Sequence, residues 1–280
     1  MTSLSLQLGL TTQRPLTRFV GPLDAYATGG LAIWGLSHRL FTSWAGALFR
    51  VRRTGDDELD IEAKPNGLYD LAALSGFVGS DPWWFSQFYD QTGNGNHITN
   101  AASGQPRGAI DGNGLAYAYA ETGLNDKSML KASLSIAVTD STLWTVFGSP
   151  GFVTYGAGFY TSTDRQRILA DYGEIVGADF NYGSGTVAVV SGTNTGLYSS
   201  TFQVGSGGNR INVGTASATG TKPSEAVTIT QIGMPAQFGG FQPRWYANAP
   251  IYAGGLWAAD VGDTNADAIQ QIGKDLYFAQ

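Results

Sequence analysis

Period-two alternation of apolar and polar residues is the dominant signal along this chain. At the N-terminus Leu4, Leu6, Leu8 and Leu10 alternate with Ser5, Gln7 and Gly9, so an extended backbone places all four leucines on one side. Such a segment reads either as the first strand of the domain's own sheet or as an arm that adds a strand to a partner's exposed sheet edge. The break at Thr11-Thr12-Gln13-Arg14-Pro15 separates it from the rest of the chain and favours the arm. Alternation resumes in Ala47-Leu48-Phe49-Arg50-Val51-Arg52-Arg53, where Phe49 and Val51 face one way and Leu48, Arg50 and Arg52 the other: a strand with a basic face. A further strand should end at Asp90. From about residue 115 onward strands are predicted over 115–120, 132–139, 143–147, 167–172, 186–191, 196–204, 209–215, 225–232 and 250–257, with Gly, Asn and Ser in the gaps between them. Three stretches have helical spacing instead. These are Leu31 to Phe41, Tyr69 to Phe77, and the tail from Asp263, where Ile269, Ile272 and Leu276 share one face and Asp263 and Thr264 are capping candidates.

Many short strands in 280 residues predict one large antiparallel β-sandwich rather than several domains, with residues 1–20 as the arm and 21–280 as the sandwich. Composition agrees: 39 glycines and only 14% charged residues suit many turns and few long surface helices. A net charge of −6 with 16 Lys and Arg excludes an extended phosphate-tracking surface, leaving only the local Arg50, Arg52 and Arg53 cluster, so nucleic acid is not an expected partner. The absence of cysteine excludes disulfides, thiolate metal sites and cysteine nucleophiles, and points to assembly in a reducing cytoplasm. Residues 1–10 lack the basic leader and continuous apolar block of a signal peptide, and no segment has the length and apolarity of a membrane span.

Candidate chemistry concentrates in Phe88-Tyr89-Asp90-Gln91-Thr92-Gly93-Asn94-Gly95-Asn96-His97-Ile98. Two glycines and two asparagines within four positions let this loop enter left-handed backbone space at little steric cost. Asp90, Asn94, Asn96 and His97 are candidates for bonding sugar hydroxyls, with Trp245 and Tyr246 as rings on which a sugar could stack; Trp83, Trp84 and Trp257 add aromatics near polar loops. Oxygens of Asp90 and Asn94 could also ligate calcium, but without a further acidic neighbour a structural turn is the better reading. Neither His38 nor His97 belongs to a metal or triad motif, and no lysine-serine pair turns the glycines into a phosphate loop, so no metal and no cofactor are expected.

The loop resembles the Tyr-Asp-Gln-Ser-Gly-Asn-Gly-Asn-His-Leu segment of fungal α-L-arabinofuranosidase B catalytic domains. The similarity also covers Gly21-Pro22-Leu23-Asp24-Ala25-Tyr26, the segment Ser43 to Arg53 and the acidic pair Asp56-Asp57, and returns in Tyr252-Ala253-Gly254-Gly255-Leu256-Trp257. It implies a concanavalin A-like (jelly-roll) fold and sugar as ligand. A retaining enzyme of this kind needs two carboxyl groups about 5–5.5 Å apart. In the resembled enzymes one lies in a His-Met-Glu-Ala-Ile strand and the other in a Gly-Gly-Asp loop. The regions here read Asp164-Arg165-Gln166-Arg167-Ile168-Leu169-Ala170-Asp171-Tyr172, without a matching glutamate, and Ile232-Gly233-Met234-Pro235-Ala236-Gln237, without the aspartate; Asp171, Glu174 and Asp179 are the substitutes nearby. The front-end pattern also resembles proteins encoded among the virion genes of tailed bacteriophages. The expectation is therefore a non-catalytic virion component (decoration, fibre or tail tip) assembled in the host cytoplasm. It would be anchored to other virion proteins through Leu4, Leu6, Leu8 and Leu10, self-associated as a homo-oligomer, and in contact with a host surface polysaccharide. The alternatives are an α-L-arabinofuranosidase-type glycoside hydrolase and a soluble carbohydrate-binding module.

Overall fold

The computed structural model describes residues 18–99, 104–119, 129–131, 136–138, 140–148, 158–160, 166–171, 175–180, 188–191, 197–205, 208–213, 216–220, 227–229, 232–234 and 250–278. Between 129 and 234, outside 140–148, the side chains described are those of Ile136, Ser199, Thr201, Gln203, Arg210, Asn212, Ser217 and Thr219. The leucines of the expected arm, and Trp245 and Tyr246, lie outside the described residues.

In chain order the elements are β1 Gly30–Gly35, β2 Ala47–Arg53, β3 Glu58–Glu62, α1 Leu71–Val78, β4 Trp83–Phe88, β5 Ile98–Thr99, β6 Arg107–Ile110, β7 Ala116–Tyr119, β8 Met129–Lys131, β9 Ile136–Val138 and β10 Ser141–Gly148. They continue with β11 Gly158–Tyr160, β12 Gln166–Asp171, β13 Ile175–Phe180, β14 Ala188–Ser191, β15 Leu197–Gly205, β16 Gly208–Val213, β17 Ala216–Gly220, β18 Val227–Ile229, β19 Ile232–Met234, β20 Ile251–Trp257 and α2 Asp263–Tyr277. All ladders are antiparallel. One layer runs β3-β2-β4-β5-β8-β19-β11-β12-β13-β14. The other runs β1-β20-β10-β15-β16-β17. The sheet curls from one to the other through β6 and β7, which link β4 to β20. This is a concanavalin A-like antiparallel β-sandwich, as the sequence predicts.

The core between the layers is aromatic. Trp34, Phe49, Phe85, Phe88, Leu143 and Leu256 belong to one buried cluster drawn from β1, β2, β4, β10 and β20. A register shift in the β2–β4 ladder pairs Arg50 with Gln87 but Val51 with Phe85, leaving Ser86 as the extra residue. That bulge is why both Phe85 and Phe88 reach the core although they lie three positions apart. A second buried cluster sits on the opposite face of β1, β10 and β20, where Ile33, Trp144, Val146 and Trp257 meet Ile269 and Tyr277 of α2. The helix is held there by Gln270 Nε2 donating to Ser199 O at 2.9 Å, with Trp144 Nε1 donating to Ser199 Oγ at 3.1 Å.

The helix predicted over 31–41 is instead β1 followed by irregular chain. The reason is burial on both sides: Ala32 and Trp34 enter the inter-layer core while Ile33 enters the cluster under α2, so the run lacks alternation and mimics helical spacing. The strand with a basic face is found as β2, except that Leu48 is fully buried; a register shift between Ala47 and Phe49 takes it off the arginine face. Alternation over 115–120, 143–147, 167–172, 196–204, 209–215 and 250–257 corresponds closely to β7, β10, β12, β15, β16 and β20. The helix near Tyr69–Phe77 is α1, capped by Asp70, whose side chain accepts from Ala73 N at 3.1 Å. The tail helix starts as expected, but Gly262 at φ 80° takes the cap position, with Asp263 in the first turn.

Candidate functional site

The loop after β4 is built inward. The Asp90 carboxylate, 1% exposed, accepts four hydrogen bonds: from Ile33 N at 3.2 Å, Thr92 N at 3.0 Å, Thr92 Oγ1 at 2.7 Å and Asn96 N at 3.1 Å. Gln91, equally buried, accepts from Leu40 N at 2.7 Å and donates to His38 O at 3.2 Å. Asn94 Nδ2 donates to Gly30 O at 2.6 Å, Asn96 Nδ2 to Leu31 O at 2.7 Å, and His97 Nδ1 accepts from Asp90 N at 3.1 Å. Gly93 and Gly95, at φ 87° and 74°, turn the chain so that these groups can point back at β1. The structure therefore brings Asp90, Asn94, Asn96 and His97 together, as the sequence suggests, and gives each a partner within the chain. No group of three or more acidic or histidine side chains suited to a metal ion occurs among the described residues.

A matching fastener precedes β1. Asp24 accepts from Gly21 N at 3.0 Å and from Thr42 N at 2.8 Å as well as from the Thr42 hydroxyl. Burial raises the Asp24 pKa, but these hydrogen bonds outweigh it and leave the carboxyl below its ordinary range.

The outward-facing chemistry lies beside this loop, on the solvent side of β2, β3 and β4. Arg50 grips Asp60 with two bonds, Nε to Oδ1 at 2.7 Å and Nη2 to Oδ2 at 3.0 Å, and Glu58 stands 3.8 Å from its third nitrogen. Tyr89 donates its hydroxyl to Asp60 at 2.6 Å. The Arg50 bond holds the Asp60 carboxyl below its usual range, and burial together with the bond to Asp60 pushes Tyr89 up to about 12. Tyr89 also meets His97 edge-on at 5.1 Å between ring centroids and lies 6.5 Å from Trp44, all three rings half-exposed. One step along, the Arg52 and Arg107 guanidiniums lie 4.7 and 5.4 Å from the Trp84 ring centroid, and Arg52 donates to Gln105 at 2.7 Å.

Asp60 and Gln105 escaped the sequence reading. The signal for Asp60 was present in Glu58-Leu59-Asp60-Ile61-Glu62, whose acids alternate against the arginines of β2, so pairing the two strands would have found it. Gln105 gives no such signal, because it arrives from a turn outside any strand. Asp171 and Asp179 fall on β12 and β13, and Glu174 lies between them outside the described residues.

The comparisons with known proteins bear on what this surface serves. A family model described as α-L-arabinofuranosidase B, catalytic, matches residues 22–153. The chain is 34% identical over 113 residues to α-L-arabinofuranosidase B of Aspergillus kawachii, covering 38% of this chain and 21% of that protein. It is 26% identical over 204 residues to the enzyme of Aspergillus oryzae, covering 69% and 37%. Among solved structures, a mutant GH54 α-L-arabinofuranosidase soaked with 4-nitrophenyl α-L-arabinofuranoside superposes with TM-score 0.69 at 15% identity, over 91% of this chain and 65% of that one. An arabinofuranosidase complexed with arabinofuranosyl-α-1,2-xylobiose gives 0.67 over 92% and 64%. The chain thus spans well under half the length of those fungal relatives. Its resemblance to the fungal arabinofuranosidase B catalytic domain extends through the fold.

These findings correct the functional expectation. The relatives and structural neighbours are enzymes acting on arabinofuranosides, and this overturns the readings of a non-catalytic protein, of a virion component and of a virion location. The residues shared from Pro22 onward outweigh the unmatched glutamate and aspartate.

Proposed function

We propose that this chain is a glycoside hydrolase domain acting on α-L-arabinofuranosides. The observation that carries the reading is the match of residues 22–153 to the arabinofuranosidase B catalytic model, in a chain whose whole described fold follows the same enzymes.

Hydrolysis of a glycosidic bond requires a carboxylic acid that protonates the leaving oxygen and a second carboxylate that attacks the anomeric carbon or activates water. The acid works best with a raised pKa. The described carboxyls with displaced pKa values, Asp24, Asp60 and Asp70, are all lowered by the hydrogen bonds they accept. We take Asp171, Glu174 and Asp179 as the candidate proton donors, because they stand in or near the segment 164–172 that corresponds to the glutamate-bearing strand of the resembled enzymes. Asp171 pairs with Ile175 and Asp179 with Arg167, four ladder positions away, which is about 13 Å at 3.3 Å per residue. Asp171 and Asp179 consequently cannot be each other's partner at 5–5.5 Å. One of the three carboxyls works with a group from another strand.

The test is release of 4-nitrophenol from 4-nitrophenyl α-L-arabinofuranoside by the whole chain and by Asp171→Asn, Glu174→Gln and Asp179→Asn. At least one substitution is expected to lower kcat by about 10²–10⁴-fold with the fold intact. A chain that releases no more nitrophenol than its heat-inactivated form between pH 4 and 7 sinks the proposal.

A further inference from the structure

Spontaneous loss of an asparagine amide requires the next peptide nitrogen to reach the side-chain carbonyl, and glycine, lacking a Cβ, obstructs that approach least. The sequence has three such steps, Asn66-Gly67, Asn94-Gly95 and Asn113-Gly114. The fold treats them differently. Asn94 donates its side-chain nitrogen to Gly30 O at 2.6 Å, which holds the amide against β1. At Asn66 the side-chain oxygen accepts from Leu68 N at 3.1 Å, Gly67 N donates to Lys64 O at 2.8 Å, and the Phe19 ring covers the buried Gly67. Asn113 stands in the turn of the β6–β7 hairpin, between the paired residues Ile110 and Ala116. It is exposed, and among the described residues its side-chain amide makes no hydrogen bond. Gly114 N is held by one bond, to Asp111 O at 3.0 Å, and the space around Gly114 is open: a Cβ added there would meet only Leu71 Cδ2, at 3.6–4 Å range from its neighbours' closest approach of 3.8 Å.

We infer that Asn113 is a modification site, the position at which the folded chain deamidates, and that the product unfastens the hairpin where the two layers of the sandwich join. In this reaction Gly114 N gives up its proton and attacks Cγ of Asn113. The N–Cγ bond forms, the Cγ–Nδ2 bond breaks, and the amide nitrogen leaves as ammonia, carrying the displaced proton. Water, the only co-reactant, then opens the cyclic imide at either carbonyl, leaving aspartate or, with the main chain running through Cγ, isoaspartate. The turn around this step hangs on Asp111. Its Oδ1 accepts from Asn113 N and Leu115 N, both at 2.9 Å, and its Oδ2 accepts from the Tyr252 hydroxyl of β20 at 3.1 Å. The Tyr69 hydroxyl donates to Gly114 O at 2.7 Å. Isoaspartate adds one carbon to the main chain between Asn113 N and Leu115 N, so the two N–H groups no longer fit one carboxylate oxygen. Either product also sets a second negative charge near Asp111. Because β6 and β7 carry the sheet from β4 to β20, a loosened turn is felt by both layers.

The experiment holds the whole chain folded at physiological temperature in mildly alkaline buffer, which promotes loss of the Gly114 N proton, and reads each asparagine by digestion and mass spectrometry. Isoaspartyl methyltransferase labelling counts the isoaspartate. Asn113 is expected to convert about tenfold or more faster than Asn66 and Asn94, since those two must first break the side-chain bonds that hold them. In urea the three rates should converge; the same preference there would assign it to sequence alone and overturn the structural argument. Asn113→Ser keeps the backbone bonds of the turn and cannot deamidate at that position. Fresh, the variant and wild type should melt alike; aged, the wild type alone should melt lower. Conversion at Asn113 that is absent or no faster than at the other two steps, or equal melts of the two aged proteins, overturns the inference.

Discussion

Acidification should destabilise this protein through His38, and the size of the effect follows from where the imidazole sits. His38 lies between β1 and α2, 7% exposed, its ring edge-on to Tyr277 at 4.8 Å, with no hydrogen-bond partner for Nδ1. Tyr277 of α2 packs against it, and Arg39 is its cationic chain neighbour. Burial penalises the imidazolium and lowers the pKa from 6.5 to about 4. Because the folded value is the lower one, the unfolded chain holds the extra proton between pH 6.5 and 4. Stability from this group is therefore complete above about pH 6.5, falls as pH drops through that window, and stops changing below about 4. The full interval is worth about 3 kcal/mol, at 1.36 kcal/mol per unit. Integrated between pH 7 and pH 5, where the lowered carboxyls Asp24, Asp60 and Asp70 contribute little, it is about 2 kcal/mol. Urea unfolding of wild type and His38→Phe at pH 7, 6 and 5 measures it. The phenylalanine keeps an aromatic ring against Tyr277 and cannot titrate, so its stability should be nearly flat where the wild type loses about 2 kcal/mol. The chain has only two histidines, so an NMR titration with His97→Gln for assignment gives the pKa directly. Equal pH slopes in the two proteins, or a His38 resonance titrating near 6.5, would refute the argument.

Two further outcomes are expected of the fasteners. Asp90→Ala removes a buried acceptor of four hydrogen bonds and should cost roughly 3 kcal/mol or more, whereas Asn96→Ala, which gives up one side-chain bond to Leu31 O, should cost about 1 kcal/mol; chemical denaturation curves separate the two, and equal losses would show that the carboxylate is not the centre of the loop. At Gly21 an added Cβ would lie 2.4 Å from Thr42 N and 2.5 Å from Phe41 Cα, backbone atoms that cannot rotate away, so Gly21→Ala should destabilise by about 1–3 kcal/mol; a thermal melt unchanged from wild type would mean that the 21–26 turn and the Phe41–Thr42 segment separate freely.

How far the sequence carries the fold depends on whether a strand has one wet face. β2 and β7 have one, and their alternation is readable. β1 has none, and its apolar run imitates a helix until the cover provided by α2 and the opposite layer is known. Strands that owe their position to partners more than to pattern, such as β6 with its Arg-Gly-Ala-Ile run, were not found. Gly108 in that strand is required by the Trp83 ring, which an added Cβ would meet at 1.9 Å, a packing constraint with no local signature. At the site, the loop residues were recognisable because glycine and asparagine crowd together, but their inward direction was not. A short polar side chain bonds a ligand and a neighbouring strand with the same atoms, and only the position of β1 decides between them.

That direction has a consequence for how the family resemblance transmits function. Among the residues shared most visibly with arabinofuranosidases, Asp24 ties the turn before β1 to Thr42, and Asp90, Asn94 and Asn96 tie the loop after β4 to β1. Asp24 binds Thr42, and Asp90 binds Ile33. Losing Asp90 would unpair the edge of a strand buried on both faces, and losing Asp24 would free the turn before it, so these residues are constrained by the sandwich itself. The proposed hydrolytic carboxyls would sit under a different constraint: such a group can move from one strand to another, provided that two of them still meet at the separation the reaction needs. A glutamate absent from one strand therefore removes a position without removing the chemistry, if the face still brings a second carboxyl to Asp171, Glu174 or Asp179. The nitrophenyl assay with the three substitutions is decisive for that reason: it asks which pair the face assembles without assuming that the pair occupies its usual strands.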